Sequence, residues 1–327
     1  MIPNSLKGRD YISTQDWTNK ELRILLDVAS DLKTKKKQGI AHRHCRDKTV
    51  FLLFFDKSTR TRNAFEAGIT QLGGHAHYID AESSQISHGE TARDTGIILS
   101  SYGHGIAVRH DLIPGEGNAY MREMAQWASV PLINLQCDID HPTQTIADLM
   151  TIREIFGKNT KGLKIAVSWA YTPTYAKPLS VPQGLLMLMP RFGIDVILAH
   201  PPEFKLMPGV IELAHENARQ NDTSITFTNS MEEAFTNADI VYPKSWGILE
   251  LFGKPKEALA IAAKYKNWHC TEKMMSLAKK TAVYMHCLPA DRNYEVTDAV
   301  IDGAQSVVYQ EAENRLHTAK AIMAMTI

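Results

Sequence analysis

Neither sign of charge prevails in this chain. The 36 lysines and arginines face 36 aspartates and glutamates, so no surplus marks it for nucleic acid or an acidic membrane, and neither partner is expected. Cysteine is scarce as well. Cys45, Cys137, Cys270 and Cys287 form no C-x-x-C pair and no dense cluster, which excludes a disulfide scaffold and fits a reducing, cytoplasmic setting. No apolar run is long enough to span a bilayer, and the amino terminus lacks a signal-peptide core. G-x-x-x-x-G-K-[ST] and G-x-G-x-x-G are both missing, so nucleotide binding by either route has no support. There are no repeats and no low-complexity segment.

What is present is an ordinary globular composition, 44% hydrophobic and 22% charged. Its 327 residues suggest about two domains. The organising stretch is Phe51-Leu52-Leu53-Phe54-Phe55-Asp56-Lys57-Ser58-Thr59-Arg60-Thr61-Arg62. A strand-like apolar run stops at Asp56, and Phe65, Ile69 and Leu72 then recur at helical spacing until Gly73-Gly74. Ser58 and Thr59 therefore fall where a helix N-terminus leaves backbone N–H groups unpaired, an end that attracts anions. The hydroxyls and arginines add donors from several directions, and arginine grips phosphate bidentately. A lone S-T-R is better read as a capped helix with a solvated first turn. This cluster, directly after a buried strand, points to a phosphate or carboxylate site.

Strands are expected at 49–55, 75–79, 105–108 and 131–135, alternating with helices at 19–36, 58–72, 91–102 and 119–129. A polar loop at 80–90 carries Ser83, Ser84, Gln85 and His88. After a helix at 145–156 comes a second set of strands, at 164–169, 195–199, 239–242 and 282–286, and then a closing helix at 311–325. Such alternation predicts parallel sheets with ligands beyond the carboxyl ends of the strands. The expected architecture is α/β, two doubly wound parallel-sheet domains joined by helices. The first covers 1–148 and is completed by the terminal helix 311–327; the second covers 149–310. Segment 171–182 stands apart, with three prolines, Tyr171 and Tyr175, and little periodicity.

Arg109 closes a strand, and a guanidinium there could complete a phosphate clamp or merely carry surface charge. His141-Pro142-Thr143-Gln144 is, taken alone, a helix start; beside an anion pocket it supplies a donor for an oxyanion and a polar group for an amide. His286-Cys287-Leu288-Pro289 also follows a strand. Cys287 reads better as a packed thiol than as a nucleophile, while the backbone carbonyls beside it can accept hydrogen bonds from a ligand. Asp138, Asp140 and His141 suggest a metal-dependent hydrolase, but they lack structural-zinc spacing, and no metal or other cofactor is expected.

Taken together, Ser58-Thr59-Arg60-Thr61-Arg62, Arg109, His141-Pro142-Thr143-Gln144, His286-Cys287-Leu288-Pro289 and Glu313-Asn314-Arg315-Leu316-His317 resemble the carbamoyltransferases in kind and order. The resemblance covers essentially the whole chain. It implies that Ser58, Thr59, Arg60 and Thr61 hold the phosphate of carbamoyl phosphate, and that Arg109, His141 and Thr61 polarise its carbonyl. Gln144 and the main chain at Cys287-Leu288 would hold the carbamoyl NH2, and Arg315 would return to the same pocket. It also implies a homotrimer in which Gln85 reaches a neighbouring subunit's site. The ornithine enzyme's paired asparagines and S-M-G motif are replaced by Trp169-Ala170-Tyr171 and Lys244-Ser245-Trp246. With the proline-rich loop, these resemble the knotted branch that acts on acylated ornithines, which implies a shallow knot in the second domain. Asp291 and Cys137 depart from that branch, which has a basic and an acidic residue there. The expected activity is transfer of a carbamoyl group to the amine of a small, carboxylate-bearing acceptor, with phosphate released. Lys244, Trp246, Trp169, Tyr175, Arg292, Cys137 and Asp291 are the acceptor-side candidates. N-acetyl- or N-succinylornithine carbamoyltransfer, and a non-catalytic paralogue that binds carbamoyl phosphate, are the alternatives.

Overall fold

The computed structural model describes residues 4–174 and 177–327. The chain divides into two units, Met1–Ala147 with Glu313–Ile327, and Asp148–Ala312.

In the first unit, β1 (Thr49–Phe54) pairs in parallel with β2 (His75–Asp80) and β3 (Gly105–His110), and β3 pairs with β4 (Leu132–Cys137). The order is β2-β1-β3-β4 among the described residues. Val50 to Phe54 are buried without alternation, as a strand covered on both faces requires. Helices α1 (Asn19–Lys37), α2 (Arg60–Gln71), α3 (Ala92–Tyr102), α4 (Gly117–Trp127) and α5 (Pro142–Phe156) follow in chain order. Thr18 caps α1 in a reciprocal box with Glu21, which satisfies two amides that the helix itself cannot pair. The β3–β4 register shifts between Val108 and Arg109, so the strand is re-aimed just where Arg109 leaves it.

The second unit carries β5 (Lys164–Ser168), β6 (Asp195–Ala199), β7 (Ile225–Thr228), β8 (Ile240–Pro243) and β9 (Val283–Tyr284) in the parallel order β7-β6-β5-β8-β9. Its longer helices are α6 (Ser180–Leu188), α7 (Pro208–Gln220) and α8 (Pro255–Ala262), and the chain closes with α9 (Val308–Thr326).

The architecture is the expected pair of parallel-sheet units, with local differences. Helix α5 begins at Pro142 rather than near 145, because proline at a first helical position lacks only an amide that would be unpaired there. Strand β7 is additional to those expected: its middle residues Thr226 and Phe227 are exposed at the edge of the sheet, so it has little apolar signal. The expected irregular segment 171–182 ends early, since α6 starts at Ser180 with Pro182 in its first turn.

Candidate active site

The carboxyl ends of β1, β3 and β4 hold the anion-binding candidates of the first unit. Thr59 immediately precedes α2 and makes no side-chain cap, leaving the first-turn amides uncapped by that hydroxyl. Ser58 and Arg60 are half-buried and Thr61 is buried. Arg315, 3% exposed on α9, donates to Thr61 Oγ1 at 2.8 Å, to Thr143 Oγ1 at 3.5 Å and to Gln144 Oε1. One guanidinium thus ties the starts of α2 and α5 together. The Thr143 hydroxyl also lies 3.3 Å from His141 Nδ1, and His141 is buried.

Asp111 grips Arg109 bidentately, with both bonds at 3.0 Å, while Asp56 lies 3.9 Å away. Among the described residues these contacts leave Arg109 Nη1 without a protein partner. Burial pushes the Asp111 carboxyl up from its ordinary pKa, and the Arg109 charge opposes that shift. Arg62 is engaged otherwise. It donates to Glu66 at 2.9 Å and stacks 3.6 Å over Tyr78.

The two aspartates near His141 also have structural duties. Asp138 accepts the amides of Gly115 and Asn118, each at 2.7 Å, and Asp140 accepts the Ser13 hydroxyl at 2.9 Å and the Thr14 amide at 3.1 Å. Cys137 is wholly buried, bonded to the Asp140 main chain, and burial pushes its thiol up to about 12. It is a packed thiol at the end of β4. Gln85 is exposed in a short turn, 3.4 Å from His88.

In the second unit the loops after β5, β8 and β9 carry the remaining candidates. Trp169 and Trp246 are buried, and their indole N–H groups donate to the carbonyls of Trp246 and Phe204 at 3.0 and 2.9 Å. Lys244 is buried, with its ammonium on the Pro178 and Ser245 carbonyls at 3.0 and 2.7 Å. Arg292 is held at the surface by Asp298 and Asp302. Asp291 pairs with Lys177 at 3.1 Å and accepts from Thr172. Tyr175 lies outside the described residues. After β9, His286 Nδ1 is 2.8 Å from the Leu288 amide, Cys287 is half-buried, and Leu288 takes a left-handed φ of 55°. No cluster of three or more metal-ligating side chains occurs among the described residues.

Comparison with known proteins shows the family. Residues 9–154 match the family described as aspartate/ornithine carbamoyltransferase, carbamoyl-P binding domain, and residues 178–326 match its Asp/Orn binding domain. The chain belongs to the aspartate/ornithine carbamoyltransferase family. It is a carbamoyltransferase. The carbamoyltransferase-like protein YgeW of Escherichia coli (strain K12) is 43% identical over 95% of this chain and 88% of its own. Acetylornithine transcarbamylase solved with acetylcitrulline superposes with a TM-score of 0.90 at 31% identity, covering 98% of this chain and 99% of that one. Ornithine carbamoyltransferase from Pyrococcus furiosus gives 0.88 at 35% identity, covering 98% of each.

The residues of this carbamoyltransferase that sequence reasoning missed are the carboxylates behind the visible ones. Asp111 steers Arg109, Glu311 accepts the His286 amide at 2.9 Å, and Glu295 accepts from Lys177. Only Asp111 had a signal, an acid two residues beyond an arginine at a strand end.

Proposed function

We propose that the chain transfers the carbamoyl group of carbamoyl phosphate to the amine of a small, carboxylate-bearing acceptor and releases phosphate. The observation that supports this best is the Arg315 guanidinium bonded to Thr61 and Gln144 where α2 and α5 begin, with Arg109 fixed by Asp111 on the neighbouring strand. Ser58, Thr59, Arg60 and Thr61 hold the phosphate. Arg109, His141 and Thr61 act on the carbonyl oxygen as it gains charge, Gln144 and the main chain at Cys287-Leu288 hold the carbamoyl NH2, and Arg315 is a further carbamoyl-phosphate ligand. The neutral amine attacks the carbamoyl carbon, the tetrahedral oxyanion collapses, and the C–O bond to phosphate breaks while the amine loses its proton. Each donor aimed at that oxyanion is worth about 3 kcal/mol, and placing both substrates in line supplies much of the rest.

On the acceptor side we assign shape to Trp169, Trp246 and Lys244, which hold the strand ends, with Asp291, in the loop after β9 and paired with Lys177, as a further charged candidate. Arg292 and Cys137 are occupied structurally and receive no acceptor role. We further propose a cytoplasmic homotrimer in which Gln85 serves a neighbouring subunit, and a shallow knot formed by chain passing through segment 171–182. No helix among the described residues is long and apolar enough to cross a membrane.

Calorimetric titration of carbamoyl phosphate tests the binding half. Arg60→Ala and Arg109→Ala should each lose about 1.5–3 kcal/mol, or more than about tenfold in affinity, because each removes a charge-assisted bond. An unchanged dissociation constant in both variants contradicts the assignment.

A further inference from the structure

Glu295 has no exposed surface, yet it sits as a carboxylate among loops that follow three neighbouring strands. It accepts Lys177 Nζ at 2.5 Å from the loop after β5 and the Ser245 amide at 2.6 Å from the loop after β8. The Asp291 amide, from the loop after β9, donates to it at 2.6 Å. Burial favours the neutral acid, but His286 and Lys177 overcome that effect and hold the Glu295 pKa far below the usual carboxylate range. Buried charges of this kind are weak evidence for stability and call for another reason.

His286 supplies the reason. Its Nδ1 lies 2.8 Å from the Leu288 amide. An amide only donates, so Nδ1 carries a lone pair and the single ring proton is on Nε2. Nε2 lies 3.5 Å from Glu295 Oε1 without hydrogen-bond geometry, so the carboxylate acts on it through charge. Burial lowers the ring's proton affinity, Glu295 more than restores it, and the Leu288 amide already occupies the site a second proton would need. The ring is buried, at 1% exposure, and lies 6.4 Å from the Tyr242 ring at an 11° tilt, while the His286 backbone amide donates to Glu311 at 2.9 Å. Leu288 in turn holds a φ of 55°, a region that residues with side chains rarely adopt and keep only when neighbours hold them there.

We propose that Glu295 is a positioning residue for carbamoyl transfer: its charge beside Nε2 stabilises the Nε2–H tautomer of His286, which holds the Leu288 amide and so aims the main chain of Cys287 and Leu288. His286 is on this account a prop and not an acid or base, and Lys177 keeps the controlling carboxylate charged. Only the kinetic arm of the test rests on the carbamoyl-transfer reading; the proton position does not.

Neutron diffraction from deuterium-exchanged full-length protein reads the tautomer directly. Deuterium is expected on His286 Nε2 and not on Nδ1, whereas deuterium on Nδ1 overturns the proposal even if no acceptor is ever found. In the kinetic arm, Glu295→Gln is expected to lower kcat about 100-fold, with the KM for carbamoyl phosphate little changed. The same substitution in a His286→Asn background should cost less than about tenfold, because an asparagine oxygen accepts the Leu288 amide with no tautomer to set. A merely structural role lowers kcat equally in both backgrounds, and that result also overturns it. Should Glu295→Gln fail to fold, the native proton positions still decide.

Discussion

Asp111 holds Arg109 from one side, so the guanidinium has a direction before any ligand arrives. Asp111→Asn keeps the volume and removes the charge that fixes the fork. Carbamoyl phosphate affinity should fall about tenfold, the size of one charge-assisted bond, and a titration with unchanged affinity contradicts the steering role. Asp140 makes a different prediction. Burial raises its pKa to about 6, above the unfolded value, so its proton stabilises the fold. That contribution is present below about pH 4 and disappears as pH rises to about 6. In urea unfolding, Asp140→Asn should therefore gain on wild type by about 2–3 kcal/mol between about pH 4 and about pH 6.5; a pH-independent difference contradicts the assignment. Thr61, Gln144 and Arg315 were legible in the sequence because polar side chains stood in recognisable motifs. Glu295 and Lys177 were not, since they are 118 positions apart and neither has a local partner to announce it.

Elements were legible where hydrophobic period and punctuation agreed, as at β1 with α2 and at β6. They were lost where the apolar signal was thin, as at exposed β7, or where proline opened a helix, as at α5 and α6. The turn from β3 into α4 shows a constraint of backbone space. A Cβ added at Gly117 would come 1.7 Å from the His110 carbonyl oxygen. Gly117→Ala must therefore displace the segment carrying Arg109 and Asp111. Unfolding free energy should drop by about 2 kcal/mol or more, within the range of strain mutants, and carbamoyl phosphate binding should weaken with it. A crystal structure of the variant with the 109–117 backbone unmoved contradicts this account.

At the scale of the whole molecule, two parallel sheets with crossover helices were readable from alternation alone, whereas assembly and acceptor choice depend on surfaces that no local pattern encodes. If Gln85 serves a neighbour's site, mixing Gln85→Ala with Arg109→Ala protein and re-forming oligomers should restore part of the lost activity; no recovery contradicts shared sites. Ornithine should be a poor acceptor. The strand ends of the second unit present buried indoles whose N–H groups are engaged and a lysine held on carbonyls, and Asp291 is already paired with Lys177, leaving little to pair with a free ammonium. Citrulline formation at about 10 s⁻¹, a typical natural rate, contradicts that expectation. The central claim is carbamoyl transfer itself, and it is tested most directly by incubating the enzyme with carbonyl-labelled carbamoyl phosphate and a panel of small primary amines bearing carboxylates. The account predicts that one acceptor takes up the label as a ureido group, matched by phosphate release and abolished in Arg109→Ala. Phosphate release with no labelled acceptor, or labelling that survives Arg109→Ala unchanged, contradicts it.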